Sequence, residues 1–494
     1  MISEQFNIFD FVSNYKITKT IRLIELFAGI GAQSKALENL DADFESYKIC
    51  EWSKESIKAY TYVHHYEEIK KCDEKEIINL DGISRDYNEP MTQKQINNLK
   101  EDEKILISNC VKISHNLIDI SKVKGEDLNI VDTDKYEYIL TYSFPCQDLS
   151  LAGKLKGMEE NSKTRSSLLR EVCRILKECK NKPQILLMEN VPEVIGTRNK
   201  NSFLKYLHML EDLGYSNFYD ILNAKDFYIP QNRRRCFMVS ILGKEHIFAF
   251  PKKIKLDYHL KDFLEKQVDG KYYLSKKMLN YILSVSKKFK NNNCNINLDV
   301  ARTLTTAQNK RASITTYISE DLPSNFNLRN NALLIPEATK KGYAEAHDGD
   351  GVYLDRPHQK RGVVQKGMVQ TLKTSGNDIG VVVPCDFRYD EELRGRSDKS
   401  VIPTLTTKQS GFSGTPLVKT NCRIRKLTPL ECYKLMGFTK LDYEHCASMQ
   451  SATSIYHQAG DSIVVTVLMA IFGKLLDLDY EAIIKNYVKN LLVQ

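Results

Sequence analysis

The chain has little that would place it in a membrane, outside the cell or around a metal ion. No apolar run approaches the ~20 residues of a membrane-spanning helix. The N-terminus, Met1-Ile2-Ser3-Glu4-Gln5-Phe6, lacks the basic and apolar stretches of a secretion signal. The 12 cysteines are scattered, with no CxxC pair and no metal-ligand spacing. This argues against a zinc site or a disulfide framework, and predicts reduced thiols, no bound metal and a cytoplasmic protein. Charge of one sign is not in great excess either. With 71 Lys+Arg against 63 Asp+Glu, the net charge of +8 permits a polyanionic partner without demonstrating one. What remains is 494 residues of ordinary globular composition, 42% hydrophobic and 27% charged, long enough for two domains.

The order of elements predicts an α/β protein. Ile21 to Phe27 reads as a strand, Ala28-Gly29-Ile30-Gly31-Ala32 as a glycine turn, and Gln33 to Leu40 as a helix. This is the opening unit of a doubly wound nucleotide-binding fold. Further strands are expected at 46–50, 116–120, 136–142, 184–188 and 235–242, with helices at 166–179 and 203–213, the latter capped by Gly214. The alternation implies a mostly parallel sheet. Residues 66–112 are highly charged and read as a helical insertion. The character changes near Pro251, and lysines clearly outnumber acids from Lys252 to Lys290. The next stretch, to about Asn421, is rich in Gly, Thr, Asn and Pro and loses helical periodicity. We therefore expect a first domain at 1–254, a smaller strand-and-loop domain at 255–422, and a return segment at 423–494 ending in helix that packs back on the first domain. The second domain carries a weak repeat: Arg302-Thr303-Leu304-Thr305-Thr306, Gln370-Thr371-Leu372-Lys373-Thr374 and Pro403-Thr404-Leu405-Thr406-Thr407.

Several residues gather at the expected carboxyl edge of the sheet, where such folds bind ligands. Glycines 29 and 31 let backbone approach a ligand at a helix N-terminus, although the third glycine of the dinucleotide fingerprint is absent. Glu51 ends the next strand, placed to accept bonds from ribose hydroxyls, and Trp52, the single tryptophan, offers a flat face to an adenine. Core packing for Trp52, and solvated strand ends for Glu51 and Asp119, are the plainer alternatives. Adenosine without a pyrophosphate suits S-adenosylmethionine better than NAD. In Ser143-Phe144-Pro145-Cys146-Gln147-Asp148-Leu149-Ser150, the proline ends a buried strand and leaves Cys146 on a loop at its mouth, a candidate nucleophile. Glu189 ends a neighbouring strand and can act as acid or hydrogen-bond partner to a ring nitrogen. Arg233 and Arg235 alternate in Gln231-Asn232-Arg233-Arg234-Arg235, so both point one way if extended. Their guanidiniums could lower the thiol pKa and clamp a phosphate or carbonyl.

In this order the motifs resemble those of the C5-cytosine DNA methyltransferases of bacteria and phages, over nearly the whole chain. Phe27-Ala28-Gly29-Ile30-Gly31 resembles the cofactor loop, Glu51-Trp52 the ribose and adenine contacts, and Asp119-Ile120 the next cofactor acid. Pro145-Cys146-Gln147 resembles the nucleophile motif and Thr164-Arg165-Ser166-Ser167-Leu168-Leu169 the helix after it. Glu189-Asn190-Val191 resembles the catalytic glutamate motif, and Gln231-x-Arg233-x-Arg235 the arginine motif. Arg425 to Phe438 resembles the motif that organises the recognition domain. Gln458-Ala459-Gly460-Asp461-Ser462-Ile463 resembles the last cofactor motif, with Asp461 where the family often has asparagine.

The resemblance implies an S-adenosylmethionine-dependent methyltransferase fold with a target-recognition domain. It implies Cys146, Glu189, Arg233 and Arg235 as catalytic. Phe27 to Gly31, Glu51, Trp52, Asp119, Ile120, Pro145, Leu168, Asp461 and Ser462 would bind the cofactor. Gln147, Ser150 and the pair Thr404-Leu405 would bind DNA. The implied partner is double-stranded DNA with a short cytosine-bearing target, the implied assembly a monomer, and the origin a restriction–modification system, prophage or mobile element. The other Thr-Leu copies read more simply as a recurring strand-and-turn unit than as extra DNA contacts. A tRNA cytosine-5 methyltransferase is the runner-up, disfavoured by the large recognition domain. A catalytically inactive DNA-binding regulator would not need Cys146, Glu189, Arg233 and Arg235 together, and a nicotinamide dehydrogenase leaves the Pro-Cys and arginine motifs unexplained.

Overall fold

The structure is a computed structural model, described here for residues 13–85, 89–144, 168–244, 246–272, 333–341, 343–347, 349–353, 358–370, 379–384 and 422–493. The chain forms two compact units, one of Met1–Ile229, Arg233–Tyr258 and Cys432–Gln494, the other of Pro230–Asn232 and His259–Glu431.

The first unit is built on a six-stranded sheet. Its strands are β1 (Thr20–Leu26), β2 (Phe44–Cys50), β3 (Tyr136–Tyr142), β4 (Ile185–Asn190), β5 (Tyr215–Asn223) and β6 (Arg234–Leu242), in the order β2-β1-β3-β4-β6-β5. The pairs β1–β2, β1–β3 and β3–β4 are parallel, while β6 runs antiparallel to both β4 and β5. Residues Leu186, Met188, Tyr138, Leu140 and Ile24 are fully buried, as expected of strands covered on both faces. The helices α1 (Ala32–Asn39), α2 (Lys54–His64), α3 (Glu101–Ile113), α4 (Leu168–Glu178) and α5 (Lys200–Asp212) fill the connections. Helix α4 turns Leu169, Val172, Ile175 and Leu176 inward at the spacing of one helical face. Gly214 (φ 93°) ends α5 in the left-handed conformation that glycine adopts without penalty.

The C-terminal segment supplies α6 (Lys440–Ala447), α7 (Ala452–Asp461), α8 (Val465–Leu475) and α9 (Tyr480–Val493) to this same unit. Residues Ala452–Leu475 are long and apolar enough to cross a membrane, contrary to the sequence expectation, but 83% of the window is buried. The stretch is broken between α7 and α8, and α8 packs against α1 as core.

Three expectations are corrected. Residues 116–120 do not form a strand: only Asn116 bridges to Ile49, because His115 (φ 48°) and Ile118 (φ 62°) turn the chain out of the extended region. Among its described residues the insertion is helical only at Tyr66–Lys71, Gln93–Asn97 and α3, and is irregular over 72–85. It has its own apolar core of Ile69, Leu80, Ile83, Met91, Ile96, Ile107, Cys110 and Val111, closed by Ile57 of α2. Strand β5 was not expected from the sequence. It is a sheet edge with Tyr219 exposed, and its polar Ser216, Asn217 and Asp220 hide the period of a strand.

In the second unit, Val364–Gln365, Gly351–Tyr353, Ile379–Pro384 and Cys422–Lys426 make a four-stranded antiparallel sheet, and Leu333–Pro336 pairs with Tyr343–Ala346. Val369–Gln370 lies parallel to Gln231–Asn232. The buried Gln370 amide donates to the carbonyls of Gly351 and Val363, both at 3.1 Å, which anchors this short strand to the sheet.

Candidate active site

The carboxyl ends of β1, β2, β3 and β4 lie along one edge of the parallel part of the sheet, so the loops leaving them share a crevice. Leaving β1, the backbone turns left-handed at Phe27 (φ 60°), Gly29 (φ 58°) and Gly31 (φ 74°) before entering α1. The amides of Phe27 and Ala28 both donate to the Cys50 carbonyl, at 2.8 and 3.3 Å, which ties this loop to the end of β2. A Cβ at Gly31 would lie 2.3 Å from His64 Nε2, so packing alone requires glycine there. A Cβ at Gly29 would meet nothing within 4 Å. That open space is a cradle on which backbone can meet a ligand.

Glu51, just after β2, is buried, and both carboxylate oxygens are engaged: Oε2 accepts from Gly29 N (2.9 Å) and Oε1 from Ser53 N (2.8 Å). Burial, helped by the negative charge of Asp461, pushes its pKa up to about 7. Asn116 holds the backbone of Glu51 from both sides, its Oδ1 accepting from Glu51 N and its Nδ2 donating to Glu51 O, each at 3.0 Å. The sequence reading missed Asn116. The only signal was its place at the head of the run ending in Asp119-Ile120. Trp52 is half-buried beside Glu51. Asp119 is half-buried and its Oδ1 accepts from Ser121 N (3.0 Å) and Oγ (2.7 Å), while Ile120 joins the apolar core. The negative charges of Glu51 and Asp119 both act on the Cys50 thiol, raising it further than burial alone. Leu168, at the start of α4, packs against the core that contains Leu26 and Phe144.

The second half of the site lies on β4 and β6. Glu189 is opposite Phe237, and Arg235, two residues away on the same face, pairs with Glu189 Oε1 through Nε at 3.0 Å. Burial raises the Glu189 pKa, the charges of Arg235 and Arg233 oppose that rise, and Asp461 adds to it. Arg233 also faces Glu189, but it is buried and its Nη2 donates to the carbonyls of Gly460 (3.0 Å) and Ser462 (2.8 Å). It therefore fastens the end of α7 to the start of β6. Asp461, in that fastened turn, is 3.0 Å from His457 Nδ1. Asn190 Nδ2 donates to Phe144 O at 3.4 Å, which fixes the exit of β3 beside Glu189. The structure thus brings together the Phe27–Gly31 loop, Glu51, Trp52, Asp119, Asp461, Ser462, Glu189, Arg233 and Arg235. Pro145, Cys146, Gln147, Ser150, Thr404 and Leu405 lie outside the described residues, as do the Thr-Leu copies at 303 and 371.

At this turn Asp461 acts through space on two further acids, Glu51 and Glu189, raising each of them. A cation placed there would relieve that repulsion, and the Gly29 cradle with its acid-terminated second strand suits a nucleoside. The residues therefore fit S-adenosylmethionine, which carries both. Fold and site define an S-adenosylmethionine-dependent methyltransferase.

A family model described as C-5 cytosine-specific DNA methylase matches residues 95–477. The chain belongs to that family, and is a DNA cytosine-5 methyltransferase that uses S-adenosylmethionine. It is similar to type II methyltransferase M2.ScrFI of Lactococcus lactis subsp. cremoris, with 39% identity over 51% of this chain and 70% of that one. It is also similar to orphan methyltransferase M.SssI of Spiroplasma monobiae, with 36% identity over 56% of this chain and 72% of that one. Orphan methyltransferase M.SPRI of Bacillus phage SPR is 26% identical over 92% of this chain and 97% of its own length.

Proposed function

We propose that the enzyme methylates carbon 5 of a cytosine flipped out of a short target in duplex DNA, through a covalent adduct of Cys146. The observation that carries this reading is the ion pair of buried Glu189 with half-buried Arg235, beside the exit of the strand that leads to Cys146. The Cys146 thiolate adds to carbon 6, and the electron pair of the 5,6 double bond moves to carbon 5. S-adenosylmethionine supplies the methyl group that carbon 5 takes. Loss of the carbon-5 proton re-forms the double bond and expels the thiolate. Glu189, whose carboxyl is biased by burial toward its protonated form, donates to the ring nitrogen N3 and accepts from the exocyclic amine. Arg235 orients Glu189 and contacts the cytosine O2, while Arg233 supports the turn that bears Asp461 and Ser462. A cytosine inside a stacked duplex is out of reach, so the base leaves the helix first. The segment around 255–422, with Thr404 and Leu405, reads the target, with Gln147 and Ser150 of the nucleophile loop as further DNA contacts. The protein works as a monomer in the cytoplasm, as part of a restriction–modification system, prophage or mobile element.

Bisulfite sequencing of a cytosine-rich plasmid co-expressed with the gene tests this reading. A single protected motif with the wild type, absent with Cys146→Ser, is the expected result. No protected cytosine despite folded protein that binds S-adenosylmethionine would overturn it.

A further inference from the structure

The irregular part of the insertion leans directly on the cofactor side of the site. Ser84, fully buried, pairs in parallel with Ser53: its amide donates to Trp52 O (2.7 Å) and its carbonyl accepts from Lys54 N (3.0 Å). The backbone immediately after the Trp52 side chain, on either side of Ser53, is thereby set by the insertion. Ser84 is itself fixed, its Oγ donating to Glu89 O at 2.8 Å and its neighbour Ile83 accepting from Met91 N at 2.7 Å. Ile83 and Leu80 are buried in the insertion's own core, against Ile57 of α2, and Ile118 packs on the same core. Two residues before Ser84, Gly82 stands at φ 101°, where a Cβ would lie 2.8 Å from Asp119 Cβ and 3.1 Å from Asp119 Oδ2. Asp119 follows Ile118, a β-branched residue at φ 62°. Such a conformation costs of order 1–3 kcal/mol and persists only where its surroundings hold it. The insertion core does so here.

We propose that the Leu80–Ser84 segment of the insertion is a working wall of the cofactor site, in which Ser84 positions Trp52 and Gly82 sets the place of Asp119. This rests on the reading of Trp52 and Asp119 as cofactor contacts. Gly82 and Ser84 touch no reacting atom and are positioning residues. The insertion couples its own folding to cofactor affinity, so a change far from the chemistry alters binding of the methyl donor.

The test uses the full chain and S-adenosylhomocysteine, the unreactive product of the donor. Trp52 is the only tryptophan, so tryptophan emission, excited selectively over the 26 tyrosines, reports this site alone. In the wild type, titration should change the emission with the same Kd found by equilibrium dialysis. Gly82→Ala should weaken that Kd about tenfold, the worth of roughly one hydrogen bond, and raise KM for the donor more than it lowers kcat. Gly214→Ala is the control for backbone strain: its φ of 93° is similar, but its Cβ would meet only Leu242 Cδ1 at 3.6 Å. It should lower the melting temperature comparably and leave Kd unchanged. In an Asp119→Ala background, Gly82→Ala should add little further loss of affinity, because the clash with Cβ persists but the carboxylate it would misplace is gone. Wild-type affinity in Gly82→Ala, or full additivity with Asp119→Ala, would overturn the proposal while leaving the cofactor site in place. Binding by dialysis with no change in Trp52 emission would instead overturn the reading of Trp52, and the proposal with it.

Discussion

With Glu51 in its proposed role as a cofactor contact, affinity for the cofactor should depend on pH near neutrality. Its carboxyl is held at about 7 in the empty protein, against an ordinary 4.5, chiefly by burial. Because the folded value is raised, the protonated form stabilises the empty protein. That contribution is fully present below about pH 4.5 and is lost as pH rises through about 7. A ligand whose ribose hydroxyls donate to the carboxylate prefers the ionised form, since charge-assisted hydrogen bonds are the stronger ones. With a midpoint near 7, about one-eleventh of Glu51 is ionised at about pH 6 and about ten-elevenths at about pH 8. Affinity for S-adenosylhomocysteine should therefore rise about tenfold between those two pH values, one decade being about 1.4 kcal/mol. Calorimetry in buffers of different ionisation enthalpy should register release of about half a proton at about pH 7. The ligand's own titration is common to all variants, so Glu51→Gln isolates this term: its affinity should be lower and should lose the tenfold rise. Asp461→Asn, which removes a neighbouring negative charge, should move the midpoint down. Equal pH dependence in wild type and Glu51→Gln, or net proton uptake assigned to Glu51, would refute the argument.

Cys146→Ser should abolish methyl transfer while leaving cofactor binding intact, because a hydroxyl is a far weaker nucleophile at neutral pH; retained turnover in a radiolabel assay would remove Cys146 from its role. Arg22 stacks on Tyr136 (3.6 Å to the ring centre) and Tyr47 (4.5 Å) and donates to Tyr138 OH (2.9 Å). Arg22→Ala should cost about 1–3 kcal/mol in urea unfolding, and Arg22→Lys should recover only part of it, because an ammonium cannot stack flat; an unchanged midpoint would show that the stack adds nothing. Arg233→Lys replaces a planar guanidinium, whose Nη2 donates to both carbonyls, with an ammonium on a flexible stem. It should lower stability by about 1–2 kcal/mol and weaken cofactor binding through the Asp461 turn, and equal affinity would argue that this turn is held by other means.

The sequence exposed the parallel sheet because β1, β3 and β4 are short runs rich in aliphatic, aromatic and β-branched residues. It exposed Glu51, Glu189 and the arginines because each sits where such a run ends. Other features depend on three-dimensional contacts that no local pattern records. Strand β5 is amphipathic only against β6, and Asn116 serves Glu51 across 65 residues of chain. The insertion's core residues are spaced by its irregular loop, so its charge was legible and its packing was not. The double duty of Arg233 appears only when Gly460 and Ser462 return to it from more than 220 positions away.

That return has a consequence for biosynthesis. The crevice edge at Glu51 and Glu189 and the turn that Arg233 holds lie on opposite sides of the second unit in sequence, so a ribosome must complete that unit before Arg233 can reach Gly460 and Ser462. From Tyr258 to Cys432 is 174 residues (432 − 258), roughly ten to thirty seconds of synthesis. During that interval the nascent chain holds a nucleotide cradle without its closing turn. Messages cut short before Gly460 should yield a protein whose Arg233 lacks both of its carbonyl partners.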